Sequence, residues 1–279
     1  MILGMSNIAW SPEDRFVAYA MLAEAGAFGL EVAPGMLFSR SADPLRPEQQ
    51  EERRALAEIA GAGLSLVSMQ SLLFGVENAA LFGSADARIR FRDGMERAIE
   101  LAGRLSVPNL VFGSPLQRRV PDGVSSAQAR TLAAETFHAL GQRAAAVGTV
   151  IAIEANPETY GTNFLNTLEE ASSFVADLGH PSVRLVLDLG EMLVNGTTST
   201  AVSRIPGLVT TLNHVHVSEP HLAPAPADLG VVGPILNALY VSGYSGAVSI
   251  EMKRPQGGLD VLRQSLGRLR AAAPHGACR

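Results

Sequence analysis

Eight short apolar runs, each closed by a polar residue and followed by a segment of helical spacing, predict an α/β chain wound into a single (β/α)8 barrel. Two further observations point the same way. A length of 279 residues is too great for a small domain and too small for two substantial ones, and no linker of altered composition divides it, so one domain is expected over 1–279. The first strand is followed by Gly4-Met5-Ser6-Asn7-Ile8-Ala9-Trp10, which lacks the glycine-rich turn of an open dinucleotide-binding sheet.

The strands are expected at Ile2–Met5, Gly29–Val32, Leu64–Met69, Asn109–Phe112, Val150–Ile153, Val183–Leu187, His214–Val217 and Ala247–Ile250. Each is a run of four to six mostly aliphatic residues, the length of a strand buried on both faces. Helices are expected at Pro12–Ala25, Pro47–Ala62, Ala85–Leu105, Ser126–Ala146, Thr167–Leu178, Thr198–Ile205, Asp228–Val241 and Gly258–Ala272. Ser11 before Pro12, with Asp14 in the first turn, reads as a helix start, while Gly26, Gly63 and Gly148 stand where left-handed helix ends belong. The stretch Pro220 to Pro226 reads as a loop. Parallel neighbours need crossovers of a dozen residues or more, and eight such units fit a closed barrel.

Composition narrows the partners. With 47% hydrophobic and 18% charged residues the chain buries a large core. A formal charge of -5 repels phosphate backbones, so nucleic acid is not expected as a partner. A single cysteine, Cys278, excludes a disulfide framework and fits a cytoplasmic setting. No apolar run approaches the ~20 residues of a membrane span, and the amino terminus lacks a basic segment, so no membrane partner is expected.

In such a barrel the chemistry gathers at the carboxyl ends of the strands, which meet around one mouth. Those positions hold Ser6 and Asn7, Glu31, Gln70, Ser114, Glu154 with Asn156, Asp188, His216, and Glu251 with Lys253. The last four strands supply Glu154, Asp188, His216 and Glu251, spaced 34, 28 and 35 residues apart, about one βαβ period each. At a common height they form an oxygen-rich pocket with one imidazole. That donor set best suits Mn2+, and it also accepts Co2+, Mg2+ or Zn2+. A carboxylate carried to the end of a buried strand is costly unless paired, and a cation removes that cost. A lone acid after a strand can instead cap a helix, and Glu31, just before Ala33-Pro34-Gly35, is open to both readings. His214, one step deeper on the same strand face as His216, is expected as a hydrogen-bonded residue of the barrel interior.

The segments Ile153-Glu154-Ala155-Asn156-Pro157, Leu187-Asp188, His214-Val215-His216-Val217-Ser218-Glu219-Pro220 and Ser249-Ile250-Glu251-Met252-Lys253 resemble the sugar phosphate isomerase/epimerase superfamily of xylose-isomerase-like TIM barrels. The likeness spans nearly the whole chain. Its relatives include ketose 3-epimerases, hydroxypyruvate isomerases and inosose dehydratases. The resemblance implies that Glu154, Asp188, His216 and Glu251 bind one divalent ion, often manganese or cobalt, and that Glu154 and Glu251 also move protons as the catalytic pair. It further implies a substrate contact at Glu158. Two positions depart from the family pattern: Glu191 stands where a His is usual, and Leu222 where many members place an Arg.

The expected activity is isomerisation or epimerisation of a ketose, sugar phosphate or keto-sugar derivative, by proton abstraction beside a carbonyl through a metal-bound enediolate. Asn7, Gln70, Asn156, Glu158, Glu191, Glu219 and Lys253 are the expected substrate-binding residues, and Trp10, Phe38, Phe74 and Tyr160 are candidates to exclude water. Arg118-Arg119 is a basic pair near the mouth, suited to an anion or to a solvated role. The apolar third loop, Ser71 to Gly83, suggests a lid or a contact between copies in a homo-oligomer. A dehydratase of an inosose or keto-glycoside would use the same metal and base. A non-catalytic sugar-binding barrel would hold no ion. An apurinic endonuclease IV-like centre takes three metals and several more His, whereas this chain has six His in all and Glu31, Gln70 and Glu191 at strand ends.

Overall fold

A computed structural model describes residues 1–276; Cys278 lies outside the described residues. Eight parallel strands, β1 (Ile2–Ser6), β2 (Gly29–Val32), β3 (Ser65–Met69), β4 (Asn109–Phe112), β5 (Val150–Ile153), β6 (Val183–Asp188), β7 (Leu212–Ser218) and β8 (Ala247–Glu251), pair in sequence order. Pairing of Ile2 with Ala247 and Met5 with Ile250 closes the ring. The crossovers carry α1 (Arg15–Glu24), α2 (Pro34–Leu37), α3 (Gln49–Gly61), α4 (Ala85–Leu105), α5 (Ser126–Ala146), α6 (Leu168–Leu178), α7 (Leu189–Val194), α8 (Thr198–Leu208), α9 (Leu229–Val241) and α10 (Gly258–Ala272). The expected strands and long helices are all present, with ends moved by a few residues.

Local chemistry accounts for the shifted ends. Ser11 donates its hydroxyl to Asp14 at 2.7 Å, so the segment from Pro12 opens as a 3-10 turn and α1 begins only at Arg15. Helix α3 starts at Gln49 because Glu48 and Glu51 form a capping box there. Gly26, Gly63 and Gly148 adopt φ of 70°, 75° and 76°, the left-handed ends foreseen. Two short helices, α2 and α7, were not expected, since four and six residues give no readable helical period.

Most apolar burial lies between the outer strand faces and the helices; Phe91, Phe112, Phe137 and Phe174 meet edge to face there. Strand alternation turns the other residue set inward. A small separate cluster, Val111, Ala152 and Val186, stands one or two residues before the ends of β4, β5 and β6. The β1–β2 contact is too close for side chains: a Cβ on Gly4 would lie 2.4 Å from the Gly29 carbonyl oxygen.

Two irregularities set the height of the inward groups. On β7, Asn213 is passed over as pairing moves from Leu185–Leu212 to Val186–His214. Without that extra residue Asp188 would face Val215; with it, Asp188 faces His216. On β3, Val67 is passed over in the same way, bringing Glu31 opposite Ser68. No helix among the described residues is long and apolar enough to cross a membrane.

Candidate metal centre and cavity

Glu154, Asp188, His216 and Glu251 converge just inside the open end of the barrel, each offering a ligand atom within 4.8 Å of the others. His216 Nδ1 lies 2.8 Å from Glu154 Oε1, 3.4 Å from Glu251 Oε2 and 3.6 Å from Asp188 Oδ2. Three carboxylates and one imidazole nitrogen on one buried point fit a hard or borderline divalent ion. The charge balance supports that fit. Burial first, and then the Glu154, Asp188 and Glu31 carboxylates, push the Glu251 carboxyl well above its ordinary range, with His216 opposing. A bound cation reverses the sign of that interaction.

Three of these candidate ligands, Asp188, Glu154 and His216, are held by other residues. Asp188 Oδ2 accepts from the Ser218 hydroxyl at 2.7 Å, and its Oδ1 accepts from the Glu191 N–H at 2.5 Å. Asp188 thus caps α7 while its carboxylate faces His216, so the capping and ligand readings of a strand-end acid coincide. Glu154 Oε2 accepts from Asn156 Nδ2 at 3.0 Å. The backbone beside it leaves no spare room: a Cβ on Gly113 would stand 2.5 Å from Glu154 Oε2.

Glu31 orients the imidazole. It is fully buried, its Oε2 stands 3.1 Å from His216 Nε2 and 2.9 Å from His214 Nε2, and its Oε1 accepts from Gln70 Nε2 at 2.9 Å. Burial would raise this carboxyl, but His216 and His214 outweigh it and hold it well below the ordinary range. A carboxylate at Nε2 favours a proton on that nitrogen and presents Nδ1 to the other three acids. The cap reading of Glu31 is therefore corrected: the residue before α2 is Ala33, and Glu31 turns inward. The signal was its place at a strand end between Leu30 and Val32, in phase with the four donors. His214 is enclosed in the barrel as expected; burial lowers its pKa while Glu31 opposes the fall, its Nε2 meets Glu31 as a close ion-pair contact, and its Nδ1 has no hydrogen-bond partner.

Above the four donors opens a cavity of about 580 Å³. Of the seven expected substrate contacts, Gln70, Asn156 and Glu219 line it. The other four lie elsewhere. Asn7 clamps the end of β2, its Oδ1 accepting from Ala33 N–H at 2.7 Å. Glu158 is exposed on the loop after β5. Glu191 turns away to Asn195, whose Nδ2 donates to Oε1 at 2.6 Å. Lys253 is exposed because β8 ends at Glu251 and alternation no longer applies beyond it.

Arg118 is corrected as well. It is completely buried, donating to the Glu154 carbonyl at 2.7 Å and the Leu165 carbonyl at 3.3 Å, and burial lowers its pKa to about 10. It braces the backbone of Glu154, one of the four candidate ligands, and offers nothing to an anion in the cavity; Arg119 is exposed. Of the four aromatic candidates, Phe74 and Tyr160 line the cavity, whereas Trp10 and Phe38 are buried outside it. Four residues other than glycine with positive φ, Ser71, Ser114, His221 and Leu222, also stand on its wall. Left-handed backbone at such residues marks loops fixed by their surroundings, which concentrate at functional sites.

Comparison with known proteins places this geometry in a family. Three solved structures similar to the chain are a 3-keto-D-glucoside 4-epimerase from E. coli (20% identity, TM-score 0.77, 97% of this chain and 99% of that one), a D-psicose 3-epimerase from Clostridium cellulolyticum H10 with D-tagatose (19%, 0.73, 98% and 96%) and a family 2 AP endonuclease from Brucella melitensis (18%, 0.73, 98% and 100%). At these identities the likeness is one of fold. No curated protein matches the sequence. The profile of one family matches residues 19–272, and on that match the chain belongs to the xylose isomerase-like TIM barrel family.

Proposed function

We propose that this protein is a divalent-metal-dependent sugar epimerase or isomerase that moves a proton next to a carbonyl. The observation that carries the reading is the convergence of Glu154, Asp188, Glu251 and His216 Nδ1 at the floor of a cavity large enough for a carbohydrate. Bound by these four residues, a divalent ion, Mn2+ by preference and Co2+, Mg2+ or Zn2+ as alternatives, supplies Lewis-acid stabilisation of negative charge on a substrate oxygen.

The chain's own residues do the rest. Glu154 and Glu251 come from β5 and β8, on either side of His216, and are the pair that takes and returns protons. A carboxyl placed this way contributes ~10²–10⁴-fold as a general base or acid. Return to the opposite face of the same carbon inverts it, and return to the neighbouring carbon isomerises the sugar. Asn156 fixes the Glu154 carboxylate, while Gln70 and Glu219 face the substrate's hydroxyl groups. Asn7 and Glu191 act, in this reading, by holding the backbone beside the cavity through Ala33 and Asn195, while Glu158 and Lys253 stand exposed outside it.

The partner is a small carbohydrate in the cytoplasm, and three acids at the cavity floor disfavour a polyanion such as nucleic acid. The test is exchange of solvent deuterium into ketoses, inososes and 3-keto-glycosides, followed by NMR on protein loaded with Mn2+ or treated with chelator. Exchange that requires the ion and disappears in Glu251→Gln and Glu154→Gln is expected. Turnover that survives Glu251→Gln, or a protein that takes up no divalent ion, would refute it; net loss of water would mark a dehydratase.

A further inference from the structure

The cavity has two unlike halves. Its floor is acidic, with Glu154, Asp188 and Glu251, while its outer wall is built from Phe74, Leu116 and Tyr160 on the loops after β3, β4 and β5. Phe74 is 84% exposed and Leu116 71% exposed, an unusual state for two large apolar side chains on one rim. Phe74 lies near Gly35, where an added Cβ would stand 3.7 Å from its Cδ1, and Leu116 packs against Gly161, where an added Cβ would stand 2.9 Å from its Cδ2. The Tyr160 hydroxyl accepts from the His221 N–H at 3.0 Å, which fixes the third wall.

No Lys or Arg lines this cavity among the described residues. Arg118, the cation nearest in sequence to its wall, is completely buried with its guanidinium on two carbonyl oxygens. A phosphate or carboxylate on the substrate would meet the acids of the floor and, on the outer wall, apolar groups with the hydroxyl, amide and imidazole groups of Ser71, Ser114, Gln117 and His221, but no Lys or Arg to replace its water. The volume of about 580 Å³ falls in the range of ~300–1,000 Å³ that encloses drug-sized ligands, more than one sugar ring requires.

From this geometry we infer that the outer half of the cavity is a subsite for an apolar substituent, so that the substrate is an uncharged keto-glycoside, a sugar ring that keeps the carbonyl the reaction needs and carries an apolar aglycone. The inference rests on the sugar reading above and adds the class of sugar. The ring reaches the four donors, and the aglycone lies between Phe74, Leu116 and Tyr160, covering the surface those residues leave in water. Continuity of the apolar wall with the acidic floor favours one ligand spanning both over a second protein chain on the rim.

The experiment is calorimetric titration of the full-length, Mn2+-loaded protein with matched methyl and phenyl glycosides of the gluco, galacto and xylo series, and with glucose 6-phosphate. None of these carries a keto group, so binding is read without turnover. In at least one series the phenyl glycoside is expected to bind about tenfold or more tighter than its methyl partner, the factor that modest apolar burial supplies. Phe74→Ala and Leu116→Ala are expected to bring that ratio close to one; both residues are exposed, so the fold does not depend on them. Equal affinity of methyl and phenyl partners would overturn the apolar subsite and leave the sugar reading standing. Glucose 6-phosphate binding tighter than the methyl glycosides would overturn the uncharged class. Failure of every glycoside to bind would overturn the glycoside class, while deuterium exchange into free ketoses would still decide the sugar reading separately. Sedimentation of wild type as a dimer and of Phe74→Ala as a monomer would assign the rim to a second copy and overturn the inference.

Discussion

Replacing Glu191 by Gln removes a buried carboxyl while keeping its shape. Glu191 is 2% exposed, and its Oε2 has no partner. Burial raises its pKa from 4.5 to about 8; the Asn195 hydrogen bond opposes the rise, and Asp188, Glu169 and Glu154 add to it. The folded chain therefore keeps a proton that the unfolded chain releases across that interval. Since the native state binds more protons there, stability falls as pH rises from 4.5 towards 8 and levels off above it. At about 1.4 kcal/mol per pH unit, the ceiling on the loss is ~5 kcal/mol, and local relaxation lowers it. The substituted amide has no proton to lose, and its carbonyl still accepts from Asn195. Urea unfolding of both metal-free proteins should give nearly equal stabilities at about pH 4.5 and a Glu191→Gln advantage of ~2–5 kcal/mol at about pH 8.5. A difference that stays constant across this interval would show that Glu191 is not held protonated by burial, and the reasoning would fail.

Metal binding should release protons, because His216 and Glu251 must both be deprotonated to act as donors. Burial would lower the His216 pKa, but the carboxylates around it hold it well above the ordinary value, and Glu251 is raised as well. Apparent Mn2+ affinity should therefore increase with pH through neutrality, with one to two protons released in calorimetry across buffers of different ionisation enthalpy; a pH-independent affinity contradicts this. Glu31→Gln should weaken Mn2+ binding by about 10–100-fold with the circular dichroism spectrum unchanged, since the amide no longer holds the proton on His216 Nε2. Unaltered affinity would mean that the imidazole is oriented by its packing alone. Gly113→Ala places a methyl 2.5 Å from Glu154 Oε2, so the carboxylate must swing aside. Weaker Mn2+ binding in a normally folded variant is expected, and full affinity would show that Glu154 has other productive rotamers.

The sequence by itself determined the order of strands and helices, because strand-length aliphatic runs and helical spacing are local properties that each segment carries whatever surrounds it. It also named Glu154, Asp188, His216 and Glu251, since a closed barrel brings every strand end to one mouth. Their mutual heights were another matter. Asp188 faces His216 only because Asn213 is passed over in the β6–β7 pairing, and a register shift belongs to two strands together. Burial divided the remaining polar residues. Glu31, which reads equally as a cap, and Arg118, which reads as a cation at the mouth, are both enclosed and bound to groups 185 and 36 residues away. Conversely, Lys253 and Glu158 match strand-end and loop patterns and yet lie in water. A side chain's direction is fixed by the partners that desolvation obliges it to find, and those partners are neighbours only after the barrel has closed.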